Sequence, residues 1–178
     1  MNIRRAKSHE MDVLIDIWMR SVRATHRFLS DSDIQTLLNL VRQGILADLD
    51  LWVWSTDADE PVGFIGLGQS SVEALFIAPE WLRLGGGTAL IEHARRHLKC
   101  RLRLDVNEQN PDAVKFYSAL GFRVTGRSEV DDGGRPFPLL HMEEVTTNRT
   151  RNEEASAHAQ ASRWQGSRAE RTRARQAS

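Results

Sequence analysis

Three consecutive glycines, Gly85-Gly86-Gly87, stand between an apolar strand-like run and a segment of helical period, and this junction constrains the fold more than any other stretch. Val72–Ile77 precedes it and ends before Pro79. Leu90, Ile91, Ala94 and Leu98 recur after it at helical spacing. Glycine allows positive φ and close backbone approach, and the first turn of a helix leaves N–H groups that face an anion. The segment therefore reads either as an anion cradle, with a diphosphate as its natural guest, or as a tight strand-to-helix turn. No Lys-Ser/Thr follows the glycines, so the nucleoside-triphosphate loop is excluded. Their spacing is not that of the dinucleotide fingerprint.

The rest of the chain supplies the setting. Ser8 is placed to cap a helix to about Val22, and Ser30, Asp31 or Ser32 a second one carrying Ile34, Leu37, Leu38, Val41 and Ile45. Leu51–Ser55, Val62–Leu67 and Val72–Ile77 read as strands joined by short turns, and residues 102–106 alternate like another. Asn110 caps a helix with Pro111 at its first position; Ala113, Phe116, Tyr117 and Leu120 form its buried stripe, and Gly121 closes it. Phe122–Thr125 and Leu139–Val145 complete the set, joined by a loop over 126–138. With residues 2–6 as an opening strand, the order is β-α-α-β-β-β-α-β-α-β-β. Hairpins mix with helical crossovers, so the expected class is α+β with a mixed, mostly antiparallel sheet of about seven strands and four helices.

The chain has 178 residues and no net charge, with 24 basic and 24 acidic side chains, but the balance is uneven along it. Residues 146–178 hold seven Arg and three Glu, and their one large apolar residue is Trp164. That composition cannot bury enough surface to offset its ordering entropy, so a folded domain over 1–145 and a disordered basic tail over 146–178 are expected. The neutral whole argues against nucleic-acid binding except through that tail. A single cysteine, Cys100, excludes an internal disulfide. No run is long and apolar enough to span a membrane, and the charged N-terminus is not a secretory signal, so a cytoplasmic protein without membrane contact is expected, as monomer or homodimer. No metal is expected.

Two blocks then resemble a known family. Val72–Ile77, Ala78-Pro79-Glu80, Gly85-Gly86-Gly87 and Thr88-Ala89-Leu90 look like motif A of the GNAT superfamily of N-acetyltransferases, and Asn107–Asn110, Ala113-Val114, Phe116-Tyr117 and Leu120-Gly121-Phe122 look like its motif B. The resemblance spans about residues 3–145. Through Ser21-Val22, Ala24-Thr25-His26 and 125–132 it is nearest to small bacterial members of the YjaB type, described as acetylating protein lysines. It implies acetyl-CoA as donor and an amine as acceptor, joined directly in a ternary complex. It places the pyrophosphate on Gly85, Gly86, Gly87 and Thr88 beside Arg83, and the pantetheine arm against the backbone of Leu75, Phe76 and Ile77 and the side chain of Asn110. Tyr117 falls at the usual general acid. One departure stands out: the position where the family carries Gln or Arg is Leu82 here.

Acetyl transfer also needs a base, since a lysine with pKa near 10.4 is almost wholly charged at neutral pH. Glu73, on the cleft strand, and His26, between the first two helices, are the candidates; strand alternation leaves open which way Glu73 points. A small-molecule amine acceptor, or a non-catalytic CoA sensor, are the alternatives to a protein lysine acceptor.

Overall fold

In the computed structural model, residues 1–145 are described; the expectations for the tail, disorder and nucleic-acid contact included, lie outside the described residues. Seven strands and four helices follow the expected order. The strands are β1 (Asn2–Arg5), β2 (Asp50–Ser55), β3 (Pro61–Leu67), β4 (Ser71–Ile77), β5 (Arg103–Asn107), β6 (Phe122–Ser128) and β7 (Leu139–Glu144). The helices are α1 (Met11–Thr25), α2 (Asp31–Leu40), α3 (Gly86–Leu98) and α4 (Pro111–Ala119).

All strands lie in one sheet, ordered β1-β2-β3-β4-β5-β7-β6. Every neighbouring pair is antiparallel except β4 and β5, which run parallel. Each face of the sheet covers its own core. On one side Ile65, Val72, Ile77, Leu104 and Val106 pack with Leu90, Ile91 and Ala94 of α3 and the stripe of α4. On the other, Val53, Phe64 and Ala74 pack with Leu14, Ile17, Trp18 and Val22 of α1 and Ile34 and Leu38 of α2. This alternation is what a two-sided strand requires, and a one-residue slip would exchange the two cores.

Local chemistry sets the ends of the elements. Ser30 caps α2, its hydroxyl accepting from the Asp33 N–H at 3.2 Å. Asn110 caps α4 in the same way through Ala113, and Gly121 after α4 has φ 89°.

Several details differ from expectation. Ser8 begins a short tight turn rather than α1, and α1 runs on to Thr25, whose hydroxyl donates to the Ser21 carbonyl at 2.8 Å and so tolerates a β-branched residue in the last turn. After α2 the helix widens over Val41–Ile45 until Gly44, at φ 107°, stops it. The α4 stripe is half-buried rather than buried. And β6 continues through Gly126, Arg127 and Ser128, which the polar composition concealed; the strand absorbs a bulge between Val124 and Gly126.

Candidate active site

The parallel pair β4–β5 is the opening in the sheet. Pairing is confined to Ser71 with Arg103 and Val72 with Leu104, after which the two strands diverge. Glu73 and Asp105 are the first residues beyond the last pair. Glu73 is also the extra residue of a bulge, since Gly66 pairs with Ala74 and Leu67 with Val72.

Beyond that point β4 is bonded on its β3 edge only. The Ala78 N–H donates to the Val62 carbonyl at 2.9 Å, and the ladder pairs Ile77 with Gly63 and Phe76 with Phe64. Alternation along an antiparallel ladder then turns the polar groups of Ala74 and Phe76 toward β3 and those of Leu75 and Ile77 into the gap. Of the three residues expected to meet the pantetheine arm, Leu75 and Ile77 offer backbone to it. Phe76 instead buries its ring against Phe64, 5.6 Å away.

The glycine turn begins next to this edge. Gly85 sits in the left-handed region at φ 86°, and the first helical bond of α3 runs from Ala89 N–H to the Gly85 carbonyl at 2.9 Å. The N–H groups of Gly86, Gly87 and Thr88 thus have no partner within the helix and carry its positive dipole end. The two readings of the turn are both present in the geometry. A Cβ on Gly86 would lie 2.3 Å from the Trp54 ring, and one on Gly87 3.0 Å from Phe116. Packing therefore demands glycine at Gly86 and favours it at Gly87, and the close packing is what brings the α3 amides alongside α4.

Arg83, itself at φ 62°, is exposed, and its guanidinium has no partner among the described residues. Leu82 and Leu84 are also exposed. Trp81 stands edge-on to Trp54 at 6.1 Å and bridges the two cores, which makes it structural.

Tyr117 projects from α4 on the α3–α4 side, T-shaped against Phe116 at 5.1 Å and Phe122 at 5.7 Å. Burial pushes its phenol pKa well above the usual value, so the hydroxyl keeps its proton. Asn110 is buried, its Oδ1 committed to the α4 cap at 3.2 Å from Ala113 N. Its Nδ2 donates to no protein group among the described residues.

Glu73 and His26 lie on the other side of the sheet. Glu73 points into a cavity of about 720 Å³ and is hydrogen-bonded by the Ser71 hydroxyl. One wall of that cavity is aliphatic, from Leu37, Leu40, Val41 and Leu46; the other is charged and net acidic, with Glu73, Asp105, Asp131, Asp132 and Glu143 beside Arg103 and Arg135. His26 ends α1, where its Nδ1 meets the Thr25 hydroxyl at 2.8 Å and its ring leans on Phe28 and Phe76. Phe28 in turn meets Phe137 of the β6–β7 loop at 5.9 Å. Burial lowers the His26 pKa, keeping the imidazole neutral at neutral pH. The structure thus gathers Tyr117, Asn110, the glycine turn and the β4 edge on one face, and Glu73 and His26 on the other, with the β4–β5 gap between them.

The profile of the acetyltransferase (GNAT) domain matches residues 30–143. The chain belongs to the GNAT acetyltransferase family. Peptidyl-lysine N-acetyltransferase YjaB of Salmonella typhimurium is 51% identical to this GNAT chain over 142 residues, covering 80% of it and 97% of the relative. The solution structure of apo YjaB from Escherichia coli superposes with a TM-score of 0.76 at 46% identity, over 82% of this chain and 98% of that one. The PaiA N-acetyltransferase of Thermoplasma acidophilum, solved with coenzyme A, shares the GNAT fold at a TM-score of 0.61 and 23% identity, over 82% and 100% of the two chains. The protein is accordingly an N-acetyltransferase with a mixed seven-stranded α+β fold. No helix among the described residues is long and apolar enough to cross a membrane.

What the sequence alone did not reveal is a hydrogen-bonded row that starts at the cavity wall, His141 meeting Asp105 at 2.7 Å and Ser128 of the edge strand at 2.8 Å. Asp105, His141 and Ser128 come from three strands and share no local motif.

Proposed function

We propose that this GNAT enzyme moves an acetyl group from acetyl-CoA to the ε-amine of a protein lysine, by direct attack within a ternary complex. The observation that carries the reading is the gap itself. One face offers unpaired main-chain groups and a helix N-terminus, and the other offers a cavity with one aliphatic and one net acidic wall.

In this reading the pyrophosphate rests on the N–H groups of Gly86, Gly87 and Thr88, with Gly85 shaping the turn and Arg83 free to add its charge. Because main-chain amides carry the contact, Leu82 in place of Gln or Arg leaves the cradle intact. The pantetheine arm pairs with the Leu75 and Ile77 backbone as an added strand, and the Asn110 amide donates to it. An N–H of that edge polarises the thioester carbonyl.

The acceptor enters from the other face. A lysine suits that cavity on both counts, its aliphatic stem along the leucine wall and its ammonium at Glu73. His26, neutral and leaning on Phe76, lies on the same side of the sheet and carries no charge against the incoming cation. When the deprotonated amine attacks, the C–N bond forms, the tetrahedral intermediate collapses, and the C–S bond breaks. Tyr117 donates its proton to the departing sulfur, and the N–H proton that the new amide sheds restores the phenol.

The experiment is steady-state acetylation of a lysine peptide by the full chain, with spermidine and an N-terminal amine peptide as rival acceptors. Multiple turnovers on the lysine peptide support the reading. Preference for the polyamine would move the acceptor to small amines, and binding of acetyl-CoA without turnover on any amine would make the protein a sensor.

A further inference from the structure

The cavity on the α1–α2 side is larger than one lysine side chain needs. Its floor comes from four neighbouring strands, β4, β5, β7 and β6. Along β5 and β7 it runs from the level of Arg103 and Glu143 to the loop that precedes Leu139. At about 4.8 Å between strands and 3.4 Å per residue, that floor measures about 14 Å each way. A lysine stem of four methylenes spans about half of one edge, whereas an extended chain of about four residues crosses it.

The charges on this floor are unevenly spent. Five carboxylates and two guanidinium groups line the cavity, an excess of three negative charges that one entering ammonium does not neutralise. Asp105 accepts from His141 at 2.7 Å. Glu143 lies 3.9 Å from Arg101 and is the ladder partner of Arg103, which donates to Ser70 at 2.8 Å. Asp131 accepts from Arg135 Nε at 2.7 Å and holds its Nη2 at 2.6 Å. Two carboxylates are left without a cationic or imidazole partner among the described residues: Glu73 at the gap and Asp132 in the β6–β7 loop.

The loop presents Asp132 on a braced turn. The Gly134 N–H donates to the Asp131 carbonyl at 2.8 Å, which puts Asp132 at the second position of the turn. The Asp131 carboxylate takes the N–H groups of Gly133 and Arg135, both at 2.9 Å, and Phe137 beyond them packs on Phe28. The same turn carries one unspent donor. Arg135 commits Nε and Nη2 to Asp131, and its Nη1 is buried with no hydrogen-bond partner among the described residues. A peptide brings main-chain carbonyls to this wall, and a charged polyamine brings no acceptor at all.

We propose that Asp132 is a specificity-determining residue that reads a second cation on the acceptor, so that the preferred target is a lysine with another basic residue within about four positions of it. The inference rests on the protein-lysine reading above and gives the loop no part in proton transfer. Glu73 meets the ammonium to be acetylated, and the second cation meets Asp132. The segment between them lies against the aliphatic wall of Leu37, Leu40 and Val41.

The test uses the full chain with saturating acetyl-CoA and a series of blocked peptides that each hold one lysine. A single arginine, alanine or glutamate is moved through the four positions on either side of it. At one or more positions arginine should lower KM by about 2–5-fold against alanine, and glutamate should raise it. The difference should shrink at high salt, as a screened charge contact does. Asp132→Asn brings the three KM values together, and Asp132→Lys reverses their order; calorimetric binding of acetyl-CoA shows that both variants are folded. A wild type indifferent to the neighbouring charge at every position overturns the proposal and leaves the lysine reading standing. So does an arginine preference that survives Asp132→Lys. A wild type that acetylates spermidine and no lysine peptide overturns both.

Discussion

The two faces of the sheet meet at one gap but are built from different materials. On the α3–α4 face the groups that would hold a ligand are main-chain: the amides at the start of α3 and the free edge of β4 at Leu75 and Ile77. On the α1–α2 face they are side chains, Glu73, Asp105 and His141, brought together from three strands. A main-chain site tolerates sequence change as long as the backbone path survives, which is how Leu82 can replace a polar residue beside the cradle. A side-chain site depends on each residue's identity, and the proposed reading puts acceptor choice there.

The largest effect that would sharpen this contrast is at Tyr117, the side chain to which the proposed reading gives the chemistry of the α3–α4 face. Tyr117→Phe keeps the contacts with Phe116 and Phe122 and removes the proton. Turnover on a lysine peptide should fall by about 10²-fold or more with acetyl-CoA affinity nearly unchanged; equal turnover would show that the sulfur leaves unaided. Its raised pKa also means that no basic limb of the rate profile near pH 10 belongs to this phenol.

Next in size is Gly86→Ala. The added Cβ would lie 2.3 Å from a buried Trp54 ring, so overpacking should cost about 1–3 kcal/mol. Thermal unfolding reads that cost, and calorimetry reads a weakened acetyl-CoA site because the first turn of α3 must shift. Unaltered affinity would show that the cradle does not depend on close packing.

A smaller effect concerns the α1–α2 face. Glu10, at the start of α1, receives both terminal nitrogens of Arg4 at 2.7 and 2.9 Å and the Lys7 N–H at 2.8 Å. Those bonds hold its carboxyl below the usual value of 4.5. The unfolded chain therefore binds a proton at higher pH than the folded one. The stabilisation is complete above about pH 4.5 and is lost as pH falls through the lower folded value. Urea unfolding between pH 6 and 3 should show this loss, on the order of 1 kcal/mol, and Glu10→Gln should flatten it.

The smallest effect is Glu73→Gln. Glu73 is exposed, so its pairing with an ammonium is worth about 0.2–1 kcal/mol. KM for the lysine peptide should rise by about 2–5-fold with kcat little changed. A collapse of kcat instead would make Glu73 the base.

How much of this was legible in the sequence follows the same division. The glycine turn, the Asn110 cap, the Gly121 stop and the order of elements are local signals, and each appears in the structure where its chemistry placed it. The divergence of β4 from β5 is not local. It follows from a parallel register set across some 30 residues and from a bulge at Glu73 that no turn residue announces. The direction of Glu73, open to either side by alternation, was decided by that bulge. The Asp105–His141–Ser128 row was hidden further, because Gly126-Arg127-Ser128 reads as loop and only pairing with β7 makes it strand. The triple glycine carried two meanings at once, and only the positions of Trp54 and Phe116 show that packing claims two of the three.

The central claim is that donor and acceptor approach the β4–β5 gap from opposite faces. Amide and side-chain NMR of the labelled full chain, titrated first with desulfo-CoA and then with a lysine peptide, tests it most directly. The account predicts shifts at Leu75, Ile77, Gly86, Gly87 and Thr88 with the first ligand, and at Glu73, Asp105 and His141 with the second, the two sets meeting only at the gap. Desulfo-CoA shifts centred on the Glu73–His141 cavity, with the glycine turn silent, would contradict it.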